Sequence, residues 1–174
     1  MRTTGFATCL LSGLVMLCAP VTAAELTISV EVPRLNVAEY HRPYVALWLE
    51  HPASGTVTSL SVWYDLGLAN REGEKWLKDM RQWWRRDGRT LSFPVDGVSG
   101  ATRPVGTHTL SFTPGESPVG ALAEGEYRLL VEASREVGGR EVLTLPFSWP
   151  AKTSTNVTAE GEHELGRVTL TLTP

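Results

Sequence analysis

The fold is decided by a stretch in the C-terminal half of the chain, which reads EYRLLVEASRE at residues 126–136 and REVLTLPFSW at residues 140–149. From Tyr127 to Ala133 every second residue is apolar or aromatic, which is the period of a strand with one buried face. Gly138-Gly139 lies between the two runs and is typical of a two-residue hairpin turn. The stretch therefore predicts two long antiparallel strands.

Alternating patterns outside this hairpin predict further strands. The spacing is fairly regular, and Pro, Gly and polar residues separate the runs, as in all-β domains. Residues 151–163 are polar and are predicted to form a loop. With about seven strands, we expect an immunoglobulin-like antiparallel β-sandwich, with Trp48 or Trp149 as its central buried tryptophan. The other predicted strands cover residues 26–32, 43–50, 56–64, 107–113 and 165–172.

One segment breaks the alternation and predicts a helical insertion over residues 74–86. Its apolar residues recur at helical spacing, with charged residues between them. A helix this short is marginal alone, so its aromatic face should pack on the sheet. The apolar residues of this segment are Trp76, Leu77, Met80, Trp83 and Trp84.

The N-terminus reads as a secretory signal peptide over residues 1–24, followed by a single domain over residues 25–174. It has a basic start, an apolar run and a small-residue cleavage region, and it is too short for a membrane-spanning helix. Both cysteines, Cys9 and Cys18, fall inside it, so the mature domain is predicted to lack disulfides and thiol chemistry. A net charge of -3 for 174 residues does not favour nucleic acid as a partner.

Catalytic and metal-binding patterns are weak. Ser99 lacks the Gly-x-Ser-x-Gly frame of many hydrolases. A triad of Ser99 with one of the four histidines stays open as a minor alternative. Those histidines share no metal-ligand spacing, so neither a metal site nor a catalytic residue is predicted. They are His41, His51, His108 and His163.

The adjacent tryptophans Trp83 and Trp84 allow two interpretations. Their wide rings can form the core between helix and sheet. Because neighbours on a helix point about 100° apart, both cannot be fully buried against one sheet face. At least one could then stack on a planar ligand.

The stretch between the helical insertion and the next strand, residues 94–102, is hard to explain by packing alone. Asp96 precedes Ser99-Gly100-Ala101-Thr102, and this run resembles the flavinylation motif. In flavin subunits of sodium-pumping NADH:quinone reductases and in FMN-binding domains, such a motif carries FMN esterified to its last hydroxyl by an FAD:protein FMN transferase. The resemblance implies FMN on Thr102. With FMN there, we expect Asp96 and Ser99 to order the loop or help to dock the transferase, and Trp83 or Trp84 to stack on the ring.

Gly100 and Ala101 leave steric room beside that hydroxyl. Arg103-Pro104 follows, where known motifs often continue with a small or hydroxyl residue, and Pro104 favours an extended Arg103.

At the scale of the whole chain, the sequence is similar to a family of predicted periplasmic proteins of unknown function. The resemblance covers nearly all of the mature chain. It implies a periplasmic location and an association with PepSY-type membrane proteins and the FMN transferase. We therefore expect a periplasmic flavin-carrying electron-transfer protein, with a cofactor-free accessory module for a PepSY-type protein as the alternative. The similar segments are residues 31–35, 40–50, 63–65, 73–79, 83–84, 94–102 and 145–150.

Overall fold

The computed structural model describes residues 24–174, and the predicted signal peptide lies outside this range apart from Ala24. The described residues form nine strands in two sheets, with one helical insertion after the third strand. The prediction of an all-β sandwich with a helical insertion is confirmed. The strands are β1 (Glu25–Val32), β2 (Tyr44–His51), β3 (Thr56–Tyr64), β4 (Ser99–Ala101), β5 (Gly106–Phe112), β6 (Gly125–Ser134), β7 (Arg140–Trp149), β8 (Thr155–Glu160) and β9 (Arg167–Thr173).

One sheet has the order β5-β1-β9-β8 and the other β4-β3-β2-β6-β7. The predicted hairpins β2–β3 and β6–β7 are both present as antiparallel pairs. All pairings are antiparallel except that of β4 with β3, which is parallel. β4 therefore adds to the edge of the five-stranded sheet at the end of a long excursion from β3.

The predicted strand count was too low because two short strands were missed. β8 lies in the segment predicted as a polar loop. It pairs only with β9 at the edge of its sheet, so it buries little and carries a weak apolar pattern. β4 has three residues, too few for any alternation to be recognised.

A bulge in β3 changes which of its side chains point to which face. Leu47 pairs with Ser61 and Trp48 with Ser59, so Leu60 has no partner between them. Regular alternation along β3 would put Leu60 on the same face as Val62 and Tyr64, but Leu60 lies in the core between the sheets and the other two lie under the insertion. Such an extra residue shifts the alternation by one position.

The five-stranded sheet is covered on both faces. Its inner face packs against the four-stranded sheet, and the core there includes Trp63 and Trp149. Its outer face packs against the helical insertion, and the smaller core there includes Trp48 and Trp83. Of the two candidates for the central tryptophan, Trp149 lies between the sheets and Trp48 lies under the insertion.

The helical insertion is broken where a continuous helix was predicted. A 3₁₀ segment covers Ala69–Asp79, a one-and-a-half-turn helix α1 covers Arg81–Arg86, and a short 3₁₀ turn covers Gly88–Thr90. The break is at Met80, whose ψ of 72° is not helical. A 3₁₀ helix has three residues per turn, which brings side chains three apart onto one face. The large side chains that the insertion buries against the sheet come from the 3₁₀ segment, the break and α1, and they are Leu77, Met80 and Trp83.

A buried carboxylate on the sheet binds the start of α1. Glu132 of β6 is fully buried and accepts hydrogen bonds from the backbone N–H groups of Gln82 (3.1 Å) and Trp83 (2.7 Å). Its other partner is Arg140 Nη1 at 2.8 Å. The first N–H groups of a helix have no partner inside the helix, so Glu132 satisfies donors that would otherwise be unpaired.

Candidate functional site

The segment of residues 94–102, called the motif loop below, is a turn followed by an edge strand. Val98 is its buried anchor, and its carbonyl accepts a hydrogen bond from Val62 N (2.8 Å). From there β4 runs beside the end of β3, with Gly100 opposite Trp63. The motif loop is thus mounted on the rigid five-stranded sheet along half of its length.

Ser99 and Gly97 have structural roles in the turn. Ser99 Oγ accepts a hydrogen bond from Val95 N (2.9 Å), and Ser99 N donates to Val95 O (2.9 Å). Gly97 has a φ of 71°, which is costly for residues with a side chain. Asp96 is exposed at the tip of the turn. These two hydrogen bonds of Ser99 order the turn, and the roles of Ser99 and Asp96 towards a flavin or a transferase stay predictions.

Gly100 is not imposed by the packing of the fold. A Cβ added there would lie 3.5 Å from Trp63 Cδ1, an ordinary van der Waals contact, and its backbone is not in the left-handed region. Ala101, the next residue, is exposed. Neither small residue is demanded by the sheet, so packing alone does not account for this pair.

Thr102 lies where the motif loop leaves the sheet. Its backbone N–H donates to Tyr64 O (3.2 Å), and its Oγ1 donates to Asp65 Oδ1 (3.2 Å). Thr102 is half-buried and Asp65 is exposed. The two hydrogen bonds hold the threonine against the end of β3, with its hydroxyl directed at a carboxylate.

Asp65 is a site residue that the sequence analysis missed. Asp65 lies next to Tyr44, and the pKa of the Tyr44 phenol is raised to about 12. Burial is the main cause and the charge of Asp65 adds to it, while a hydrogen bond from the Asp65 backbone N–H lowers the pKa in part. Gly73 packs on it from the helical insertion, where a Cβ would lie 2.1 Å from Asp65 O. The only sequence signal was the Trp63-Tyr64-Asp65 segment of the family resemblance.

Thr102 and Asp65 both line a cavity of about 560 Å³. Its walls come from four separated segments: the connection before β2, the end of β3 with the helical insertion, the end of the motif loop, and the turn after β6. Six large apolar side chains are exposed in the described part of the chain, and four of them line this cavity. These four are Tyr40, Leu68, Trp76 and Val137.

The side of the cavity next to the β6–β7 turn is charged. His41 lies 3.0 Å from Glu39 Oε1 and 3.5 Å from Glu136 Oε2. Arg135 is buried and forms a bidentate pair with Glu164, at 2.8 Å from Nε and 3.1 Å from Nη2. The remaining Nη1 of Arg135 is buried and has no hydrogen-bond partner. The cavity therefore combines an apolar rim with a polar wall.

The predicted stacking residues lie away from this cavity. Trp83 is fully buried, and its Nε1 donates to Ser59 Oγ (2.8 Å). Trp84 is half-buried and packs against Trp83, with ring centroids 6.2 Å apart. The core interpretation is confirmed for Trp83. The exposed tryptophan of the insertion is Trp76, with 53% of its surface accessible, and it lines the cavity that also contains Thr102.

Arg103, the residue after the motif, turns back onto the sheet. Its guanidinium carbon lies 4.7 Å from the centre of the Trp63 ring, in a cation–π contact. His108 Nε2 donates a hydrogen bond to Pro104 O (2.7 Å), which holds the chain on the way to β5. Arg103-Pro104 therefore fixes the exit of the motif loop without covering Thr102.

Comparison with known proteins identifies the family. The model of the family described as "Predicted periplasmic protein (DUF2271)" matches residues 25–167. The chain belongs to this periplasmic family. No curated protein and no solved structure matches the chain significantly.

Membership confirms the predicted periplasmic location and the predicted kind of family. Over residues 24–174, no helix has the length and apolar character required to cross a membrane. The predicted signal peptide, the PepSY-type partner and the FMN transferase stay predictions.

The geometry of this periplasmic protein does not assemble a serine hydrolase site around Ser99. Its hydroxyl is occupied within the turn. In the described residues, the serine and histidine that hydrogen-bond to each other are Ser54 and His51 (2.8 Å), in the exposed β2–β3 turn. The partners found for His51 are this serine and the Tyr127 ring, neither of which is a carboxylate. Within residues 24–174, no three His, Cys, Asp or Glu side chains form a group that could hold a metal ion.

Proposed function

We propose that this periplasmic protein is a flavin carrier, with FMN covalently attached through Thr102. The observation that carries the proposal is the position of Thr102, which ends a flavinylation-like motif and lines the 560 Å³ cavity. A cavity of that volume is in the range that small ligands occupy.

The residues present fit the group. Thr102 offers a hydroxyl held at a defined position by Asp65 and by the end of β3. Gly100 and Ala101 add little bulk beside it, although the sheet would accept a larger residue at Gly100. The motif loop is thus suited to entering the active site of another enzyme, while its base stays anchored through Val98.

In the proposed modification, Thr102 Oγ1 forms a bond to the FMN phosphorus of FAD. The pyrophosphate P–O bond breaks, AMP leaves and the hydroxyl proton is released to solvent. The product is a phosphodiester, and no group is oxidised or reduced. Asp65 acts as a positioning residue, because its carboxylate accepts the hydrogen bond that sets the direction of the Thr102 hydroxyl.

When bound, the flavin supplies reversible electron uptake and release. We infer that the protein exchanges electrons with a PepSY-type membrane protein, the partner that the family resemblance implies. A covalent link suits the periplasm, because no nucleotide pool there would replace a lost flavin.

The proposal is tested by exporting the full chain to the periplasm together with an FAD:protein FMN transferase and weighing it intact. We expect a mass gain of one FMN less one water, absent in Thr102→Ala and retained in Thr102→Ser. Thr107→Ala, which removes an exposed threonine of β5 outside the motif, is the matched control and should gain the full mass. An unmodified wild-type chain, with a known acceptor modified in the same cells, contradicts the proposal.

A second candidate function is supported by the exposed apolar side chains around the cavity. Clustered exposed apolar residues mark binding surfaces, so the protein could serve as a cofactor-free accessory module that docks a PepSY-type membrane protein. The same experiment separates the two functions, because the accessory module requires no change of mass.

A further inference from the structure

We propose that the cavity beside Thr102 is the seat of the isoalloxazine ring and that Trp76 is its stacking face. This inference rests on the proposed function, since it requires FMN on Thr102. It differs from the sequence-based expectation, which assigned stacking to Trp83 or Trp84.

The first step is the exposure of Trp76. More than half of its surface is accessible, whereas Leu77 and Met80, its neighbours in the insertion, are fully buried. A large apolar ring left open beside a well-packed core is unusual, and a group of such side chains points to a binding site. Tyr40 and Leu68 extend the exposed apolar surface around the same cavity.

The second step is the rigidity of the stacking face. Trp76 lies in the 3₁₀ segment, which the buried Leu77 ties to the outer face of the five-stranded sheet. At Gly73 the same segment packs on the Asp65 backbone, so closely that a Cβ there would clash. Because Asp65 also accepts a hydrogen bond from the Thr102 hydroxyl, the segment that carries Trp76 and the attachment point are both fixed to Asp65.

The third step is the match between the cavity and the tethered group. FMN attached by its phosphate at Thr102 would carry the ribityl chain and then a planar ring with one apolar and one polar end. The cavity offers an apolar rim containing Trp76 and a polar wall containing His41 and Arg42. A tryptophan face pairs with a planar aromatic ring in an offset stack, which excludes water from one side of the ring.

The readout is flavin fluorescence, which stacking on an indole quenches. Wild-type, Trp76→Ala and Trp84→Ala proteins are modified by the transferase, and equal attachment is confirmed by intact mass. We expect emission per flavin to rise about two- to tenfold in Trp76→Ala. The loss of one aromatic pair changes the ratio of stacked to unstacked flavin by about that factor, and only the unstacked flavin emits strongly. Trp84→Ala removes the same residue type outside the cavity and should leave the emission close to wild type.

The outcomes separate this inference from the function on which it rests. No mass gain in any protein overturns the flavin-carrier proposal itself. A full mass gain with equal emission in wild type and Trp76→Ala overturns the stacking assignment and leaves the attachment standing. Because Trp76 is exposed, Trp76→Ala should keep the wild-type urea midpoint, which shows that a change in emission does not come from unfolding.

Discussion

The two faces of the five-stranded sheet are held in different ways. The inner face meets the four-stranded sheet through a large apolar core. Its buried residues come mostly from seven strands and include Leu129 and Leu170. The outer face meets the helical insertion through a smaller apolar core supplemented by buried polar contacts. These include Glu132 with the α1 backbone and Trp83 with Ser59.

The difference follows from what each partner can satisfy by itself. Strands pair their backbone groups within the sheet, so only apolar side chains need to meet between the sheets. The insertion consists of a 3₁₀ segment and a six-residue helix, whose terminal N–H groups have no internal partners. Glu132 of the sheet satisfies two such groups at the start of α1, which fixes the insertion on the outer face.

The largest expected effect comes from the inner face. Leu170→Ala deletes a fully buried side chain between the sheets and should lower the free energy of unfolding by about 2–5 kcal/mol, because a cavity remains. Urea denaturation monitored by tryptophan fluorescence measures it. Thr171→Ala, on the opposite face of β9, is the matched control and should change stability by about 0.5 kcal/mol or less. If Leu170→Ala lowered the free energy of unfolding as little as the control does, the inner face would not contribute more to stability than the outer face.

A smaller effect is expected from the outer face. The two carboxylate oxygens of Glu132 accept hydrogen bonds from two backbone N–H groups of α1, whereas Gln in its place offers only one oxygen. Glu132→Gln also removes the ion pair with Arg140. We expect a loss of about 1–3 kcal/mol, the usual cost of an incompletely paired buried group, and a weaker near-UV circular dichroism signal from Trp83. Glu126→Gln on the same strand is exposed and serves as the control. An unchanged near-UV signal would mean that Glu132 does not hold α1.

The smallest effect concerns the rim of the inner face and depends on pH. Glu141 of β7 accepts hydrogen bonds from four backbone N–H groups in the loop between β8 and β9, Glu162 to Leu165. Burial raises the pKa of Glu141, but these four hydrogen bonds outweigh it and hold the pKa below its ordinary value of 4.5.

A carboxyl group with a lowered pKa in the folded state stabilises the fold above its unfolded pKa and loses that contribution as the pH falls through the folded pKa. The urea midpoint of Glu141→Gln should therefore lie below wild type at neutral pH, and the gap should close at pH values below 4.5. Glu126→Gln, the same substitution at an exposed position of β6, is the matched control and should keep the wild-type urea midpoint at neutral pH. A gap of constant size at all pH values would contradict the role of the charge.

The sequence predicted the sandwich well because strand alternation is a local pattern. The runs at 26–32 and 126–133 bury the residues that the alternation predicted, although the insertion also buries Leu130 and Glu132 on the other face of β6. The predictions from alternation failed where strand pairing shifts the alternation or where a strand buries too little to produce it. Leu60 is displaced by a bulge set by its pairing with β2, and β8 buries too little to be recognised.

The candidate site was predicted only in part. Thr102, Ser99 and the small residues of the motif loop are adjacent in sequence, so their pattern could be read directly. Asp65 and Trp76 could not be assigned in this way. The parallel pairing of β4 with β3 brings Asp65 to Thr102, and the packing of the insertion on the sheet brings Trp76 to the same cavity.

The sequence by itself determined the all-β class, the hairpins, the motif and the presence of an aromatic helical insertion. Each of these depends on residue spacing along the chain. Only the tertiary structure decided which tryptophan is buried and which is open. The break at Met80 separates the 3₁₀ segment, which carries the exposed Trp76, from α1, which carries the buried Trp83. Glu132, a residue from a distant strand, binds the start of α1 just after that break, and no pattern within the insertion reveals this contact.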